Sequence, residues 1–116
     1  MDITINKKNY SLKFGVKFVR KIDTQLPLER DGIKFGMGLV AKVIPELTTG
    51  NTNTLSNVIL WANETEKPKL DQDMVDNYID DCLDIEKLFD EVLGAIKESN
   101  SGKLAMRSFE KAEVEA

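Results

Sequence analysis

The sequence lacks the residues on which many enzymes and metal sites depend. Its 116 residues include no histidine and a single cysteine, Cys82. Without histidine, the commonest general base and the usual partner of a serine or cysteine nucleophile are missing. A lone cysteine forms no intrachain disulfide, and a structural zinc site needs about four nitrogen or sulfur ligands. We therefore expect no enzymatic activity and no cofactor, and we interpret Cys82 as a buried, inert thiol.

Long apolar runs are also missing from the chain. No stretch approaches the ~20 apolar residues that a membrane-spanning helix needs. Residues 1–14 lack the charged-then-apolar layout of a signal peptide. A length of 116 residues and a hydrophobic fraction of 41% fit one globular domain. We expect a cytoplasmic protein without a membrane partner.

Acidic and basic residues are distributed unevenly along the chain. Residues 1–63 carry nine Lys or Arg against five Asp or Glu, whereas residues 64–98 carry four against twelve. This asymmetry fits a solvated acidic face, or attraction to a basic partner or to a second copy of the chain. The net charge of −4 disfavours nucleic-acid binding, which needs clustered Lys and Arg to contact phosphates.

Apolar periodicity predicts an α+β fold that is mainly α. Residues 3–5 and 10–14 alternate apolar and polar side chains around the polar turn Asn6 to Asn9, which predicts an N-terminal β-hairpin. About five short helices follow in one compact domain over residues 1–100. Their apolar positions are Phe18, Val19, Ile22 and Leu26; Leu39, Val40, Val43, Ile44 and Leu47; Leu55, Val58, Ile59 and Ala62; Met74, Val75, Tyr78, Ile79 and Cys82; and Ile85, Leu88, Phe89, Val92, Leu93 and Ile96.

Capping and helix-breaking residues predict where these helices begin and end. A charged loop over residues 28–34 separates the first two helices. The second helix should begin near Phe35 and kink or end near Pro45, and Gly50 suits the position just beyond a helix end. The predicted N-caps of the third, fourth and fifth helices are Thr54, Asp71 and Asp84.

A few apolar residues outside the predicted core are candidates for partner contacts. Apolar residues are sparse after residue 100, so residues 101–116 are predicted to be a flexible or partner-dependent tail. Trp is enriched at binding hot spots, although Trp61 equally suits a core or rim position at the end of an apolar helix. The candidate partner-binding residues are Trp61, Leu104, Met106 and Phe109.

Two segments resemble ligand sites but lack the required context. Gly36–Ala41 matches the G-x-G-x-x-A pattern, but the flanking strands of a dinucleotide site are missing. Glycines here would instead let the backbone pack closely on a neighbour. The acidic run 71–84 fails as a calcium loop, because its fifth and sixth positions are Val75 and Asp76. In one continuous helix, four of its carboxylates would share a solvated face, namely Asp73, Asp76, Asp80 and Asp84.

Five segments carry a resemblance of overall pattern to a known family. They are Ile3 to Asn6, Tyr10 to Arg20, Phe35 to Leu39, Leu47 to Asn51, and Ile85 to Leu93. In this order they resemble the tail assembly chaperones of long-tailed phages and prophages of Gram-positive bacteria. The similarity extends over about residues 1–100 and includes no catalytic signature.

The resemblance implies a role in phage tail morphogenesis. Proteins of that family bind the tape measure protein in the host cytoplasm, keep it soluble until tail tube subunits polymerise around it, and are absent from the finished virion. Many also exist in a longer form made by ribosomal frameshifting, and the sparsely apolar C-terminus here is compatible with the short form. The implied partners are the tape measure protein, the tail tube protein and such a longer form, with self-association left open.

Other hypotheses remain open on the residues alone. The acidic segment also suits an inhibitor that mimics DNA and blocks a nuclease, or another small protein-binding adaptor. A metal-dependent enzyme would have to use the carboxylates of residues 71–84. Displacement by DNA would identify the inhibitor, and heat of binding to calcium, magnesium or manganese would identify the metal site.

Overall fold

A short β-hairpin precedes a series of helices that pack around one apolar core. The computed structural model describes residues 1–25 and 37–115, with side chains through residue 107. The predicted α+β, mainly α class is confirmed. In chain order the elements are β1 (Asp2–Ile5), β2 (Lys8–Ser11), α1 (Val16–Gln25), a π-helical segment (Leu39–Val43), α2 (Ile44–Thr48), α3 (Thr52–Asn63), α4 (Gln72–Asp80), α5 (Ile85–Glu98) and α6 (Asn100–Glu115).

The hairpin is confirmed, but its turn is tighter than predicted. The strands pair antiparallel in the register that places Ile3 opposite Tyr10. Asn6 and Lys7 have φ values of 51° and 65°, and two successive left-handed residues are typical of the two-residue turn that matches strand twist. The predicted four-residue turn is wrong because Lys8 already pairs in β2.

The second predicted helix changes geometry at its proline. The Ile44 amide donates to the Leu39 carbonyl, five residues earlier, and closes a π-helical turn. Pro45 then lies in the first turn of α2, where its missing N–H costs no hydrogen bond. The π-helical segment ends at Val43 and α2 begins at Ile44, so the helical geometry changes next to Pro45, where a kink or an end was predicted. The predicted start near Phe35 and the charged loop over residues 28–34 lie outside the described residues.

A glycine brings this segment close to α1. A Cβ atom on Gly38 would lie 2.8 Å from Cγ2 of Ile22, so no larger residue fits without a shift. The Gly38 amide also donates to the Asp23 carboxylate at 3.0 Å. Close packing of the backbone on α1 therefore explains the glycine at position 38 of the Gly36–Ala41 pattern, without a role in phosphate binding.

Three asparagine or aspartate side chains cap the next helices. Asp71 accepts from the Met74 amide at 2.8 Å and Asp84 from the Lys87 amide at 3.1 Å, as predicted. The cap predicted at Thr54 is wrong, because α3 begins two residues earlier. Asn51 is its N-cap and accepts from the Thr54 amide at 3.0 Å.

The core is formed by the apolar stripes of the helices and by one face of the hairpin. Its fully buried centre combines Ile22 of α1, Leu39 of the π-helical segment and Ile96 of α5, each 0% exposed. The α3 side chains at the centre are Leu55, Val58, Ile59 and Ala62. The hairpin contributes Ile3 and Tyr10, and the chain just after it contributes Leu12, Phe14 and Phe18. The Phe14 and Phe18 rings pack edge to face with centroids 5.1 Å apart.

One buried amide ties the hairpin to two helices. Asn63, the last residue of α3, is 1% exposed. Its Nδ2 donates to the Ser11 carbonyl at 3.0 Å and to the Pro68 carbonyl at 3.1 Å, and its Oδ1 accepts from the Leu70 amide at 2.7 Å. All the hydrogen bonds are to backbone atoms, so this side chain fixes the path of β2 and of the segment that leads into α4.

The segment predicted as a tail contains helix α6. The Ser99 hydroxyl accepts from the Gly102 amide at 3.0 Å, and the Ser99 carbonyl accepts from the Lys103 amide at 2.8 Å. A Cβ atom on Gly102 would lie 1.8 Å from the Ile96 carbonyl oxygen, so only glycine permits this junction. Helix α6 packs on α5 and on the π-helical segment. Its dependence on a partner stays a prediction.

We expect Asn63→Ala to lower the free energy of unfolding by about 2–4 kcal/mol, because it removes three hydrogen bonds and leaves the buried Leu70 amide unpaired. Urea denaturation followed by circular dichroism measures this change. Asn57→Ala in the same helix is the control, with an expected change within about 0.5 kcal/mol. Equal effects of the two variants would contradict the structural role given to Asn63.

Substitution by alanine at two glycines should change the free energy of unfolding in opposite directions. Gly50 has a φ of +83°, so Gly50→Ala should lower the free energy of unfolding by about 1 kcal/mol. Gly94 lies within α5, and a Cβ atom added there would meet no neighbouring atom within 4 Å. Gly94→Ala should therefore raise the free energy of unfolding by about 0.5–1 kcal/mol. A thermal melt of each variant against the wild type measures both signs, and stabilisation by Gly50→Ala would refute the left-handed turn.

Candidate functional site

An open groove lies where the hairpin turn meets α4 and α5. Its volume is about 760 Å³. One wall is the end of β1 with the hairpin turn, and the other consists of α4, the linker after it and the first two turns of α5. We call it the acidic groove. The residues that line it are Thr4, Ile5, Asn6, Met74, Asn77, Tyr78, Asp81, Cys82, Leu83, Asp84, Lys87, Leu88 and Glu91.

One apolar side chain that lines this groove is fully exposed to solvent. Helix α4 ends at Asp80 and α5 takes Asp84 as its N-cap, so a short linker turns the chain between them. Leu83 lies in that linker with a relative exposure of 104%. Leu83 belongs to neither helix stripe, and its side chain is not part of the core cluster. An exposed leucine beside a groove provides apolar area for a partner.

The floor of the acidic groove is continuous with the core. Leu88 is buried, and Ile5, Met74 and Tyr78 are half-buried against the core cluster. Cys82 is also half-buried there, which corrects the prediction of a buried thiol. The reason is that α4 ends before Cys82, so its side chain does not follow the apolar stripe of that helix. The groove thus combines apolar surface with an exposed leucine.

Carboxylates dominate the charge around this apolar floor. Asp81, Asp84 and Glu91 line the groove, and Lys87 is the one basic residue among the described residues that line it. The Lys87 ammonium lies 3.8 Å from the Glu91 carboxylate, four residues along α5. Within the described part of the chain, Asp81 forms no ion pair. The groove therefore favours a ligand that carries positive charge.

The surroundings of Tyr78 favour the neutral form of its hydroxyl. Partial burial, followed by electrostatic interaction with Cys82 and Glu91, raises the pKa of Tyr78 above its ordinary value of 10.0. At neutral pH the hydroxyl is a neutral hydrogen-bond donor and acceptor. The hydroxyl can form a hydrogen bond with a polar group of a ligand, while the ring provides apolar contact.

A second depression lies between the hairpin, the start of α1 and the α5–α6 junction, with a volume of about 830 Å³. Val16 is 53% exposed there. Charges of both signs line it, including Lys13, Lys17, Glu66 and Glu98. It has neither the one-sided charge nor a fully exposed apolar residue, so the acidic groove is the stronger candidate.

The comparison with protein families agrees with this picture of a small binding domain. A family model described as phage tail assembly chaperone protein, TAC, matches residues 2–111. This chain belongs to the phage tail assembly chaperone family. The match confirms the resemblance drawn from the order of the sequence segments. No curated protein and no solved structure gives a significant match.

The chaperone's four predicted partner-binding residues lie in two different places. Trp61 is half-buried near the end of α3 and packs against the core, and Met106 of α6 does the same. Leu104 of α6 is 63% exposed. Helix α3 packs on α1, α2 and α4, whereas α6 packs on α5 and the π-helical segment. Phe109 lies on α6, beyond the described side chains, and none of the other three lines the acidic groove.

The acidic run of the chaperone does not form one helical face. Helix α4 ends at Asp80, so the predicted alignment with Asp84 is wrong, and Asp84 caps α5 instead. Asp76 accepts hydrogen bonds from the Ser56 hydroxyl and from Gln72. Within residues 1–25 and 37–115, no three acidic or cysteine side chains are grouped to hold a metal ion. No helix in these ranges is long and apolar enough to cross a bilayer.

Leu83 is the residue of this chaperone that sequence periodicity missed. It falls between two helical stripes, so neither helical pattern includes it. A signal was present, because Leu83 stands between Cys82 and the N-cap Asp84 in a segment rich in aspartate.

Leu83 and Leu88 should differ sharply in their contribution to stability. We expect Leu83→Ala to change the free energy of unfolding by less than about 0.5 kcal/mol, because no packing is lost. Leu88 is 4% exposed, so Leu88→Ala should cost about 2–4 kcal/mol. Guanidinium denaturation of both variants measures the difference. A large loss for Leu83→Ala would mean that its side chain packs within the domain.

Proposed function

We propose that this tail assembly chaperone binds the tape measure protein in the host cytoplasm and keeps it soluble until tail tube subunits polymerise around it. The observation that carries the proposal is the family match across residues 2–111. A tape measure protein is long and helical, so its apolar stripes would aggregate if they stayed bare. In this proposal the chaperone leaves when the tail tube protein replaces it and is absent from the finished virion.

The surface chemistry of the chain supports this role. Leu83 and Leu104 are large exposed apolar residues on a small, mainly helical domain. Residues 64–98 carry an excess of eight acidic charges, which would keep a complex soluble after its apolar surfaces are covered. Small contact areas produce weak binding to each copy, and weak contacts suit a partner that tube subunits must later displace.

The partner contacts are proposed at Trp61 and on α6. Trp61 presents part of its ring at the surface of the domain, and the α6 residues Leu104, Met106 and Phe109 complete the predicted set. Leu104 has the largest exposure among those whose side chains are described. Trp61 and Met106 also pack on the core, so substitutions there change stability as well as binding.

Co-expression with the tape measure protein tests the proposal directly. The tape measure protein should be insoluble alone and soluble with this chain, and light scattering after size exclusion should show several copies of the chain in the complex. An unrelated acidic protein of similar size, co-expressed in the same way, is the control. If the tape measure protein stays insoluble, or elutes without the chain, the proposed function is wrong.

The contact residues are tested in the same assay. Trp61→Ala and deletion of residues 102–116 should each reduce the number of copies bound, with complexes compared at equal folded fraction by circular dichroism. Val16→Asp, at an exposed residue outside the predicted set, should leave the number unchanged. If Trp61→Ala and the deletion both left capture intact, the assignment of these contacts would be wrong.

A further inference from the structure

We propose that the outer edge of β1, the edge away from β2, accepts an extended, basic segment of a partner protein, which lies in the acidic groove as a third strand. The inference goes beyond the proposed function, because it concerns the conformation and charge of the bound segment and not the identity of the partner. It rests on the hydrogen-bonding pattern of the hairpin, on the position of β1 beside the groove, and on the charge of the residues that line the groove.

The pairing of the hairpin determines which backbone groups point outward. The Leu12 amide donates to the Met1 carbonyl at 2.8 Å. Opposed residues of an antiparallel pair alternate between hydrogen-bonded and non-hydrogen-bonded, so the pair of Thr4 with Asn9 is non-hydrogen-bonded. The backbone N–H and C=O groups of Thr4, and of Asp2 two residues earlier, therefore point away from β2.

The two strands differ in how their outward groups are satisfied. On β2, the outward carbonyl of Ser11 accepts from Nδ2 of Asn63 at 3.0 Å. On β1, none of the hydrogen bonds among the described residues involves the outward N–H or C=O groups of Asp2 and Thr4. Unpaired groups along an edge strand are a template for a further strand, so β1 is open to pairing.

The outer edge of β1 runs along the acidic groove. Thr4, Ile5 and Asn6 line the groove, whereas residues 8–11 of β2 do not. The Thr4 hydroxyl donates to Oδ1 of Asn9 at 2.7 Å, so this side chain lies across the face of the hairpin and leaves the backbone edge accessible. An added strand would lie about 4.8 Å from β1, and the groove provides a volume of about 760 Å³ beside that edge.

The floor of the groove fits the alternating side chains of a strand. Ile5, Met74 and Tyr78 are half-buried, and Leu88 is buried. Side chains alternate between the two faces of a strand, so every second side chain of an added segment would contact this apolar floor. Leu83 is fully exposed and adds apolar surface to the groove. The bound segment therefore carries an apolar residue at every second position.

The charge of the groove determines the residues between those apolar positions. Asp81, Asp84 and Glu91 line the groove. Lys87, the one basic residue among the described residues that line it, lies 3.8 Å from the Glu91 carboxylate. Lys7 at the hairpin turn is exposed but does not line the groove. Lysine or arginine in the bound segment therefore complements the charge of the groove, since their long side chains can reach its carboxylates.

A helix would fit the edge of β1 less well than a strand. A helix satisfies its own backbone N–H and C=O groups and has none to offer along its length, so Asp2 and Thr4 would stay without partners. An extended segment adds main-chain hydrogen bonds to the apolar and charged contacts. The occupant is thus an extended segment in which apolar residues alternate with lysine or arginine.

Peptide titration of the full chain, followed by NMR of its backbone amides, tests the proposal. The probe is a blocked eight-residue peptide of alternating valine and lysine, and the control peptide has glutamate in place of lysine. The lysine probe should bind with a dissociation constant below about 1 mM and shift the amide signals of Asp2 and Thr4. The glutamate peptide should bind about tenfold more weakly or worse. Unchanged Asp2 and Thr4 signals at millimolar lysine probe would overturn the proposal.

Methylation of the probe backbone separates strand pairing from charge attraction. Alternate residues of an added strand direct their N–H groups toward β1, and the residues between them direct theirs away. One probe is methylated at the backbone nitrogens of its valines and the other at those of its lysines. Their affinities should differ by about tenfold or more, because each pairing N–H that is lost removes a hydrogen bond. Two methylated probes that bind alike would refute main-chain pairing.

Proline substitution tests the same edge from the side of the protein. Thr4→Pro removes the outward N–H of β1 and should weaken binding of the lysine probe by about tenfold, because proline cannot donate to an added strand. Asn9→Pro is the matched control, since it changes the opposed residue on the other edge of the hairpin, and it should bind like the wild type. Equal binding by the two folded variants would contradict the proposal. If Thr4→Pro does not fold, the methylated probes decide, because they leave the protein unchanged.

Charge reversal and salt test the electrostatic part of the contact. Asp81→Lys should weaken binding of the lysine probe several-fold at low salt, and added salt should weaken binding to the wild type in the same direction. Asp90→Lys makes the same change at an exposed residue of α5 that does not line the groove, and its effect should be smaller. Equal effects of the two variants would contradict binding in the acidic groove. The titration contains no tail protein, so its failure would leave the co-expression result and the proposed function untouched.

Discussion

The buried side chain of Asn63 is the constraint on which the arrangement of the hairpin and helices depends. A two-stranded hairpin has little stability by itself and must be held against the rest of the chain. Asn63 holds β2 through the Ser11 carbonyl and, with the same amide group, the segment that enters α4. The Lys13 amide adds a second link by donating to the Ala62 carbonyl at 2.8 Å. These bonds hold the C-terminal end of β2 and the segment that enters α4 against the same end of α3.

The helices were predictable from the sequence because local rules govern them. The 3.6-residue periodicity of α5 and the caps Asp71 and Asp84 required no knowledge of the tertiary fold. Thr54 failed as a cap because Asn51, three residues earlier, competes for the same role and is equally suited to it. The π-helical turn before Pro45 was not predicted, since apolar spacing does not distinguish a π-helical from an α-helical turn.

The candidate site was harder to predict than the fold. Its residues come from β1, the hairpin turn, α4 and α5, and the hairpin is far from these two helices in the sequence. Apolar periodicity identifies residues that face the core. It does not identify Leu83, because this side chain is fully exposed. Leu104 was predicted as a partner contact because it lies in a segment with few apolar residues, and that role stays a prediction. The charge asymmetry indicated an acidic surface, but not that the surface surrounds an apolar floor.

The position of Leu83 between two capped helices has a consequence for the entropy of binding. Asp81 ends α4 and Asp84 fixes the first turn of α5, so the linker backbone is restrained at both ends. Its conformational freedom is lost when the domain folds and not when a ligand arrives. The entropy cost of ordering an interface segment, about 1–2 kcal/mol for each backbone residue, is therefore largely absent here. A contact of small area can then form and dissociate quickly, as an assembly intermediate requires.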